Sequence, residues 1–249
     1  MSRERIDQER RRLRGYETAE VSYTTRRYNH PAMQLYSHIR TTEIKQVLTE
    51  SFNIGSCLSL LDIGCGTGIF LSDLGVKIPD LQLTGIDFSA KMLAEAHQRL
   101  AGLGINAKLV NGSAFELPFP ANKFDAIIST RFIHQYSDEL KIQLLGEIRR
   151  CLKPHGTAVV EFYSFVPWLI RYPLTRRTTF KEHFLHCTSR QKLRMLLGSG
   201  YRIVPLMIPG STRLTGIIGI QGCKSVRGVL LRTGTHFLFD QYLAVFGKT

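Results

Sequence analysis

The chain has 249 residues, enough for one large α/β domain with small additions, and its 43% hydrophobic and 21% charged residues are typical of a folded globular protein. This composition excludes disorder of the whole chain. The net charge of +13 is uneven, because residues 164–249 carry 13 Lys and Arg against two acidic residues, while residues 1–163 are nearly neutral. A basic block attracts nucleic acid, an acidic membrane surface or an anionic substrate, although it also serves solubility.

Cysteine usage and hydropathy indicate the compartment. The five cysteines are scattered, odd in number and never in a C-x-x-C pair, which argues against a disulfide framework and a thiolate zinc site. Residues 1–14 contain six arginines and no apolar stretch, so no secretory signal is predicted there. No apolar run reaches the ~18 residues of a membrane-spanning helix. We therefore expect a cytoplasmic protein without a metal.

The first elements in chain order are an arm and a helix, followed by an α/β pattern. Residues 1–52 are predicted to form a basic arm and a helix from Pro31 to about Phe52. From Cys57 onward, short apolar runs alternate with amphipathic stretches, which indicates βαβ units in a domain over residues 53–249. The predicted strands are Leu58–Ile63, Leu81–Ile86, Ala107–Val110, Phe124–Ser129 and Thr157–Phe162. The predicted helices are Gly68–Val76, Ala90–Leu103 and Ser137–Leu152.

After Phe162 the alternation of short apolar runs and amphipathic stretches ends. Segments 163–187 and 208–236 are basic and irregular, and are predicted to be lid or insertion segments. Between them, Thr188 or Ser189 is expected to cap a helix that ends at Gly198 or Gly200. Strands Tyr201–Met207 and Phe237–Phe246 complete the prediction. The expected fold is a doubly wound, mostly parallel seven-stranded sheet with a basic insertion after the fifth strand.

The strongest motif lies between the first strand and its helix. Residues 60–68 read LLDIGCGTG, with glycines at 64, 66 and 68 that permit a sharp turn and a close approach of a ligand to the backbone. A dinucleotide site favours G-x-G-x-x-G, whereas the spacing here is G-x-G-x-G. Asp62, two residues before the first glycine, would repel a pyrophosphate but attract an ammonium group. The motif therefore predicts a ligand with an amino-acid moiety; the alternative is a tight turn without a ligand.

A second motif ends the next predicted strand. Asp87 comes 19 residues after Gly68, where an acidic residue accepts hydrogen bonds from ribose hydroxyls in doubly wound nucleoside sites. Phe88 follows and could flank a base. Asp87 or Ser89 could also serve only as a helix cap.

From about Leu58 to Phe162 the chain resembles the class I S-adenosylmethionine-dependent methyltransferases, especially the group with the ubiquinone and menaquinone methyltransferases. Five motifs occur in the expected order: the glycine turn, Asp87 with Met92–Leu93, and residues 111–119, 124–128 and 147–156. The chain departs from the family at Ser113, where many members have Asp, and at His155, where many have Gly. The resemblance implies a methyltransferase fold and S-adenosylmethionine as cofactor.

The resemblance also implies which residues bind the cofactor. Asp62 and the loop residues Gly64, Cys65, Gly66, Thr67 and Gly68 would hold its methionine part. Asp87 would hold its ribose, with Phe88 beside it. Ser113 and Ala114 would lie beside the adenine, and Thr130 near the sulfonium.

Residues that would bind the methyl acceptor are harder to assign. His134 follows the fourth strand and is a candidate catalytic base or substrate contact, or a structural donor. Glu161 and Tyr163, at the end of the fifth strand, are candidate substrate contacts. Arg171, Arg176 and Arg177 would lie in a lid over the acceptor. His183 and His186 lack further ligands at suitable spacing, so no metal is predicted.

The sequence leaves four functional hypotheses. The preferred one is a methyltransferase for a small anionic or amphipathic acceptor. The basic and aromatic C-terminal segment also fits RNA methylation, or docking on an anionic membrane by Phe162–Ile170 with a lipid acceptor. The fourth is a non-enzymatic cofactor-binding partner protein. The acceptor atom and the oligomeric state are not predicted.

Overall fold

The computed structural model describes residues 31–52, 57–78, 80–164, 187–207, 211–233, 239 and 241–248. The arm over residues 1–30, the arginines at 171, 176 and 177, and the histidines at 183 and 186 lie outside them. Most of segment 163–187 and of Phe162–Ile170 does so too. Predictions for these residues stay predictions.

The described elements are seven strands and six α-helices. The strands are β1 Leu58–Ile63, β2 Leu81–Asp87, β3 Ala107–Asn111, β4 Phe124–Ser129, β5 Leu152–Tyr163, β6 Tyr201–Met207 and β7 Gln241–Gly247. The helices are α1 Pro31–Ser51, α2 Ile69–Lys77, α3 Ala90–Gly102, α4 Asp138–Cys151, α5 Arg190–Leu197 and α6 Ser211–Arg232, with a 3-10 turn at Ile133–Gln135.

All seven strands form one sheet in the order β3-β2-β1-β4-β5-β7-β6. Strands β1 to β5 are parallel, and β7 runs antiparallel between β5 and β6. The chain moves outward from β1 through β2 to β3 and then crosses to β4 on the other side. The carboxyl ends of β1 and β4 therefore flank the point where the strand order reverses, which is where open α/β sheets bind ligands. The predicted doubly wound, mostly parallel seven-stranded sheet is confirmed.

Hydrophobic layers on both faces hold the sheet in place. One layer includes Leu144, Leu145 and Ile148 of α4, which recur at helical spacing and are fully buried. The opposite layer joins α1, α2 and α3, with Ile44 of α1 and Leu71 of α2 fully buried. Of the two predicted caps for α5, Ser189 is the one used, because its hydroxyl accepts the Lys192 N–H at 3.2 Å.

The bounds of two predicted strands are wrong, and one helix was not predicted. β5 begins at Leu152 rather than Thr157, since Leu152 already pairs with Phe124. β7 is Gln241–Gly247 rather than Phe237–Phe246. The sequence analysis assigned no regular structure to the glycine-rich stretch that forms α6. No helix among the described residues is both long and apolar enough to cross a membrane.

Helix α6 packs on α1 and on the edge strand β6. The Arg227 guanidinium forms an ion pair with Glu43 at 2.5 Å and donates to the carbonyls of Leu206 and Pro205 at 3.0 and 2.9 Å. Cys223 is buried in the same layer. The expectation that 208–236 contributes to a lid stays a prediction, and the described part of it contacts α1 and β6.

Candidate cofactor-binding site

A cleft that is partly open to solvent lies at the carboxyl ends of β1, β2 and β4. It brings together nine of the eleven residues predicted to hold a cofactor. These are Asp62, Gly64, Cys65, Gly66, Thr67, Asp87, Phe88, Ala114 and Thr130. Residues 25 to 68 positions apart in the sequence meet here because the parallel strands end at the same edge of the sheet.

The backbone geometry of the loop shows why Gly64 and Gly66 are glycines. Gly64 has a φ of +74°, and an added Cβ would lie 2.4 Å from Cδ2 of Phe132, so the ring packs directly on the backbone. Gly66 has a φ of +52°, and an added Cβ would meet nothing within 4 Å. The loop thus leaves open space at Gly66, on the cleft side, where a ligand can approach the backbone.

Two predicted cofactor residues do not line the cleft. Gly68 has a φ of +71°, and an added Cβ would lie 3.0 Å from Cβ of Ala96, so its small size lets α2 approach α3. The Ser113 hydroxyl accepts the N–H of Phe115 at 3.2 Å. In this arrangement both residues shape the loops around the cleft.

Asp87 joins the glycine loop to the start of α3. One carboxylate oxygen accepts the Gly66 N–H and the other accepts the Ser89 N–H, both at 2.9 Å. Asn111 braces the same turn by donating to the carbonyls of Asp87 and Phe88 at 3.2 and 2.9 Å. A carboxylate has about four acceptor positions, and these two hydrogen bonds use two of them. Phe88 lies beside it and is 42% exposed.

Asp62 and Arg40 are buried ionisable residues in the lining of the cleft. Asp62 is 2% exposed, and burial raises the pKa of its carboxyl to about 7; the nearby Arg40 guanidinium opposes this shift and Asp87 adds to it. Arg40, from α1, is 1% exposed and also lines the cleft. Its guanidinium lies 5.2 Å from the ring centroids of Tyr36 and Phe70. A carboxylate and a guanidinium at one end suit the ammonium and carboxylate of an amino acid.

Sequence reasoning missed several residues of the cleft. Arg40 was overlooked because an arginine within a helix gives no local motif. Phe132, Gln135 and Tyr136 also line the cleft. The Phe132 and Tyr136 ring centroids are 5.0 Å apart, and Phe115 lies 4.8 Å from Tyr136. The sequence signal for this group was the dense aromatic run after β4.

The candidate acceptor residues fall into different environments. The His134 ring lies 4.2 Å from the Tyr163 ring, centroid to centroid, and both side chains are half-buried outside the cleft lining. Glu161 is fully buried: it accepts hydrogen bonds from the Tyr36 hydroxyl and, at 3.1 Å, from the Arg131 N–H. Glu161 is not part of the cleft lining, and its contact with a substrate stays a prediction.

Known proteins are similar to the part of the chain that forms this cleft. Residues 60–156 match a model described as a methyltransferase domain. The ubiquinone/menaquinone biosynthesis C-methyltransferase of Desulfotalea psychrophila is 34% identical over 122 residues, which cover 45% of this chain and 48% of that protein. The demethylmenaquinone methyltransferase of Staphylococcus aureus is 40% identical over 100 residues, 40% of each chain. This chain thus spans about half the length, or less, of these relatives.

A solved structure extends the similarity in fold. A SAM-dependent methyltransferase from Methanosarcina mazei matches with a TM-score of 0.57 at 18% identity, over 81% of this chain and 96% of that one. At this identity the match concerns the fold alone. The match over residues 60–156 includes the glycine loop at the end of β1, and it agrees with the similarity in fold. Residues 60–156 thus match a methyltransferase domain, and the fold is similar to that of a SAM-dependent methyltransferase.

Proposed function

We propose that this chain is a methyltransferase that transfers the methyl group of S-adenosylmethionine to a small-molecule acceptor. The observation that carries the proposal is the charge pattern of the cleft. Asp62 and Arg40 lie at one end, and the Asp87 carboxylate lies at the neighbouring strand end. S-adenosylmethionine carries an ammonium and a carboxylate on its methionine part and two hydroxyls on its ribose, so its polar groups match this pattern.

Each residue has a role in this proposal. Asp62 accepts hydrogen bonds from the ammonium, and Arg40 neutralises the carboxylate. Asp87 accepts from the ribose hydroxyls, and Phe88 and Ala114 flank the adenine. The open side of Gly66 admits the methionine chain. Since these contacts involve opposite charges in a largely buried place, they are stronger than the same contacts in water.

The protein has little covalent chemistry to perform. The bound S-adenosylmethionine supplies an electrophilic methyl group on a positively charged sulfur. The chain must hold the acceptor atom in line with that methyl group, which is an effect of proximity and orientation. Thr130 lies directly after β4, and the aromatic residues Phe132 and Tyr136 line the cleft with it. A base is needed only if the acceptor must lose a proton.

For the acceptor we propose a small anionic or amphipathic molecule. The charge of +11 on residues 164–249 supports an anionic group, and the proposal includes contacts from Arg171, Arg176 and Arg177. The names of the two relatives, which refer to quinone biosynthesis, support an apolar ring system. His134 and Tyr163, whose rings contact each other at a tilted angle beside the β4 and β5 ends, are the proposed contacts within the described residues.

Calorimetry tests the cofactor part of the proposal. We expect the protein to bind S-adenosylmethionine and its demethylated product S-adenosylhomocysteine with dissociation constants below about 1 mM. Asp87→Asn should weaken both by roughly tenfold, because an amide accepts hydrogen bonds less strongly than a carboxylate. The matched change Asp80→Asn, in an exposed turn, should not. If the folded protein shows no binding at millimolar ligand, the proposed function is wrong.

A labelled-methyl assay tests the acceptor part. Purified protein and methyl-labelled cofactor are added to a fractionated cell extract, and the labelled product is separated by size and charge. We expect label in small molecules. Label that appears instead in RNA or in protein would contradict the proposed acceptor class while leaving the methyl transfer in place.

A further inference from the structure

The turn after β4 has an unusual backbone conformation. Arg131 has a φ of +54°, in the left-handed region that residues with a Cβ rarely adopt. Thr130, Arg131 and Phe132 all line the cleft, and the Phe132 ring packs on Gly64. A strained conformation persists only when the surrounding structure holds it. The geometry of the cleft therefore depends on whatever fixes the Arg131 backbone.

The Glu161 carboxylate is positioned to fix it. Glu161 lies on β5, next to β4, and the register pairs Ser129 with Val160, which puts Glu161 beside the start of the turn. One of its oxygens accepts the Arg131 N–H at 3.1 Å, a charge-assisted hydrogen bond to the strained residue itself. No part of the Glu161 side chain reaches solvent.

The same carboxylate also holds α1. Its second oxygen accepts the hydroxyl of Tyr36, one helical turn before Arg40. Arg40 is close enough to Glu161 to lower the pKa of a carboxyl that burial raises. Arg40 itself lines the cleft. A single buried side chain thus joins the turn after β4 and the helix that carries Arg40.

We propose that Glu161 is a positioning residue, whose carboxylate holds the Arg131 turn and α1 in the arrangement that forms the cofactor cleft. It acts on cofactor affinity without touching the cofactor. This inference rests on the proposed function for the identity of the ligand. It assigns to Glu161 a role through two other residues, in place of a contact with the acceptor.

The test combines Glu161→Gln with two substitutions at Arg131. Arg131→Ala and Arg131→Gly both remove the guanidinium, but only glycine adopts a φ of +54° readily. We expect Glu161→Gln to weaken S-adenosylmethionine binding about three- to tenfold, as measured by calorimetry on folded protein, since it replaces a charge-assisted hydrogen bond. In the Arg131→Ala background the loss should persist. In the Arg131→Gly background, Glu161→Gln should weaken binding by less than about the square root of that factor. Glycine adopts the turn conformation without support, so the carboxylate has less effect there.

Controls separate this inference from the proposed function. Glu139→Gln, at an exposed position on α4, should bind as the wild type does. If the wild type fails to bind the cofactor, the proposed function fails and the inference fails with it. If the wild type binds but Glu161→Gln binds equally well, or loses affinity equally in both Arg131 backgrounds, only the inference is overturned.

A second measurement covers the case in which Glu161→Gln does not fold. Arg131→Gly alone should unfold at a higher temperature than Arg131→Ala alone, by one to several degrees, since glycine relieves the strain. If Arg131→Gly is no more stable than Arg131→Ala, the turn is not held under strain and the inference is wrong.

Discussion

Cofactor binding should depend on pH through Asp62. Burial raises the pKa of its carboxyl to about 7, so near neutral pH this group is only partly ionised when the cleft is empty. An ammonium group binds well only to the ionised carboxylate, and binding therefore releases a proton wherever Asp62 was protonated. Lowering the pH below 7 removes the competent form, and the apparent affinity for S-adenosylmethionine must fall.

The size of the effect follows from the pKa of about 7. The ionised fraction of Asp62 is roughly 70% at pH 7.4 and roughly 9% at pH 6.0, and the apparent dissociation constant scales inversely with this fraction. The ligand's own α-amino group has an ordinary pKa of about 7.8, so it is more fully charged at pH 6.0, which offsets a small part of the loss. The net expectation is binding roughly sixfold weaker at pH 6.0 than at pH 7.4.

Calorimetry in buffers of different ionisation enthalpy measures both the affinity and the proton release. At pH 6.0 close to one proton should be released for each cofactor bound. Asp62→Asn should bind more weakly at pH 7.4 and lose the decline toward pH 6.0. Asp80→Asn, exposed in the turn before β2, should retain it. Wild-type affinity that is unchanged between pH 7.4 and 6.0, or a decline that survives Asp62→Asn, would refute the assignment of this carboxyl to the ammonium.

Two further predictions concern the cleft, and a third concerns the attachment of α6 to α1 and β6. Gly64→Ala should reduce cofactor affinity at least about tenfold, because its Cβ would displace the Phe132 ring, whereas Gly102→Ala, with nothing within 4 Å, should be neutral in binding assays. Phe88→Ala should weaken binding about three- to tenfold but leave the urea midpoint unchanged, since the side chain is 42% exposed and flanks the ligand. Arg227→Met should lower the free energy of unfolding by about 1–3 kcal/mol, as its ion pair with Glu43 is only 16% and 19% exposed. Arg202→Met, whose partner Glu50 is exposed, should cost less than about 1 kcal/mol in the same denaturation experiment.

The parts of the molecule that sequence predicted well are governed by local chemistry. Strands β1 and β4 were predicted to the residue because each is a short apolar run bounded by polar or glycine residues, and both are buried on two faces. The glycine loop was recognised because its backbone conformation requires glycine, and that requirement appears directly as spacing. Asp87 was found because a strand end fixes its distance from the loop.

The parts that were missed depend on tertiary contacts. α6 is rich in glycine, which disfavours helix, and it forms where Cys223 and Arg227 dock on α1 and β6. The early start of β5 follows from pairing with β4, which outweighs the turn propensity of Pro154 and Gly156. Pairing between strands that are distant in the sequence leaves no pattern in the residues around either strand.

The charged residues of the candidate site show the same contrast between local sequence signals and tertiary contacts. The loop backbone is encoded within nine consecutive residues, but the charged groups packed behind it come from far away. Arg40, whose charge is opposite to that of Asp62, is 22 residues before it, and Glu161, which lies near Arg40, is 99 residues after Asp62. Arg40 supplies the positive charge near both Asp62 and Glu161, and loss of its guanidinium would leave two buried carboxyls without that cation. Correct docking of α1 on the sheet and formation of the cofactor cleft are therefore one event. A ligand that adds an ammonium beside Asp62 and a carboxylate beside Arg40 should strengthen the attachment of α1, by the same free energy with which α1 favours the ligand.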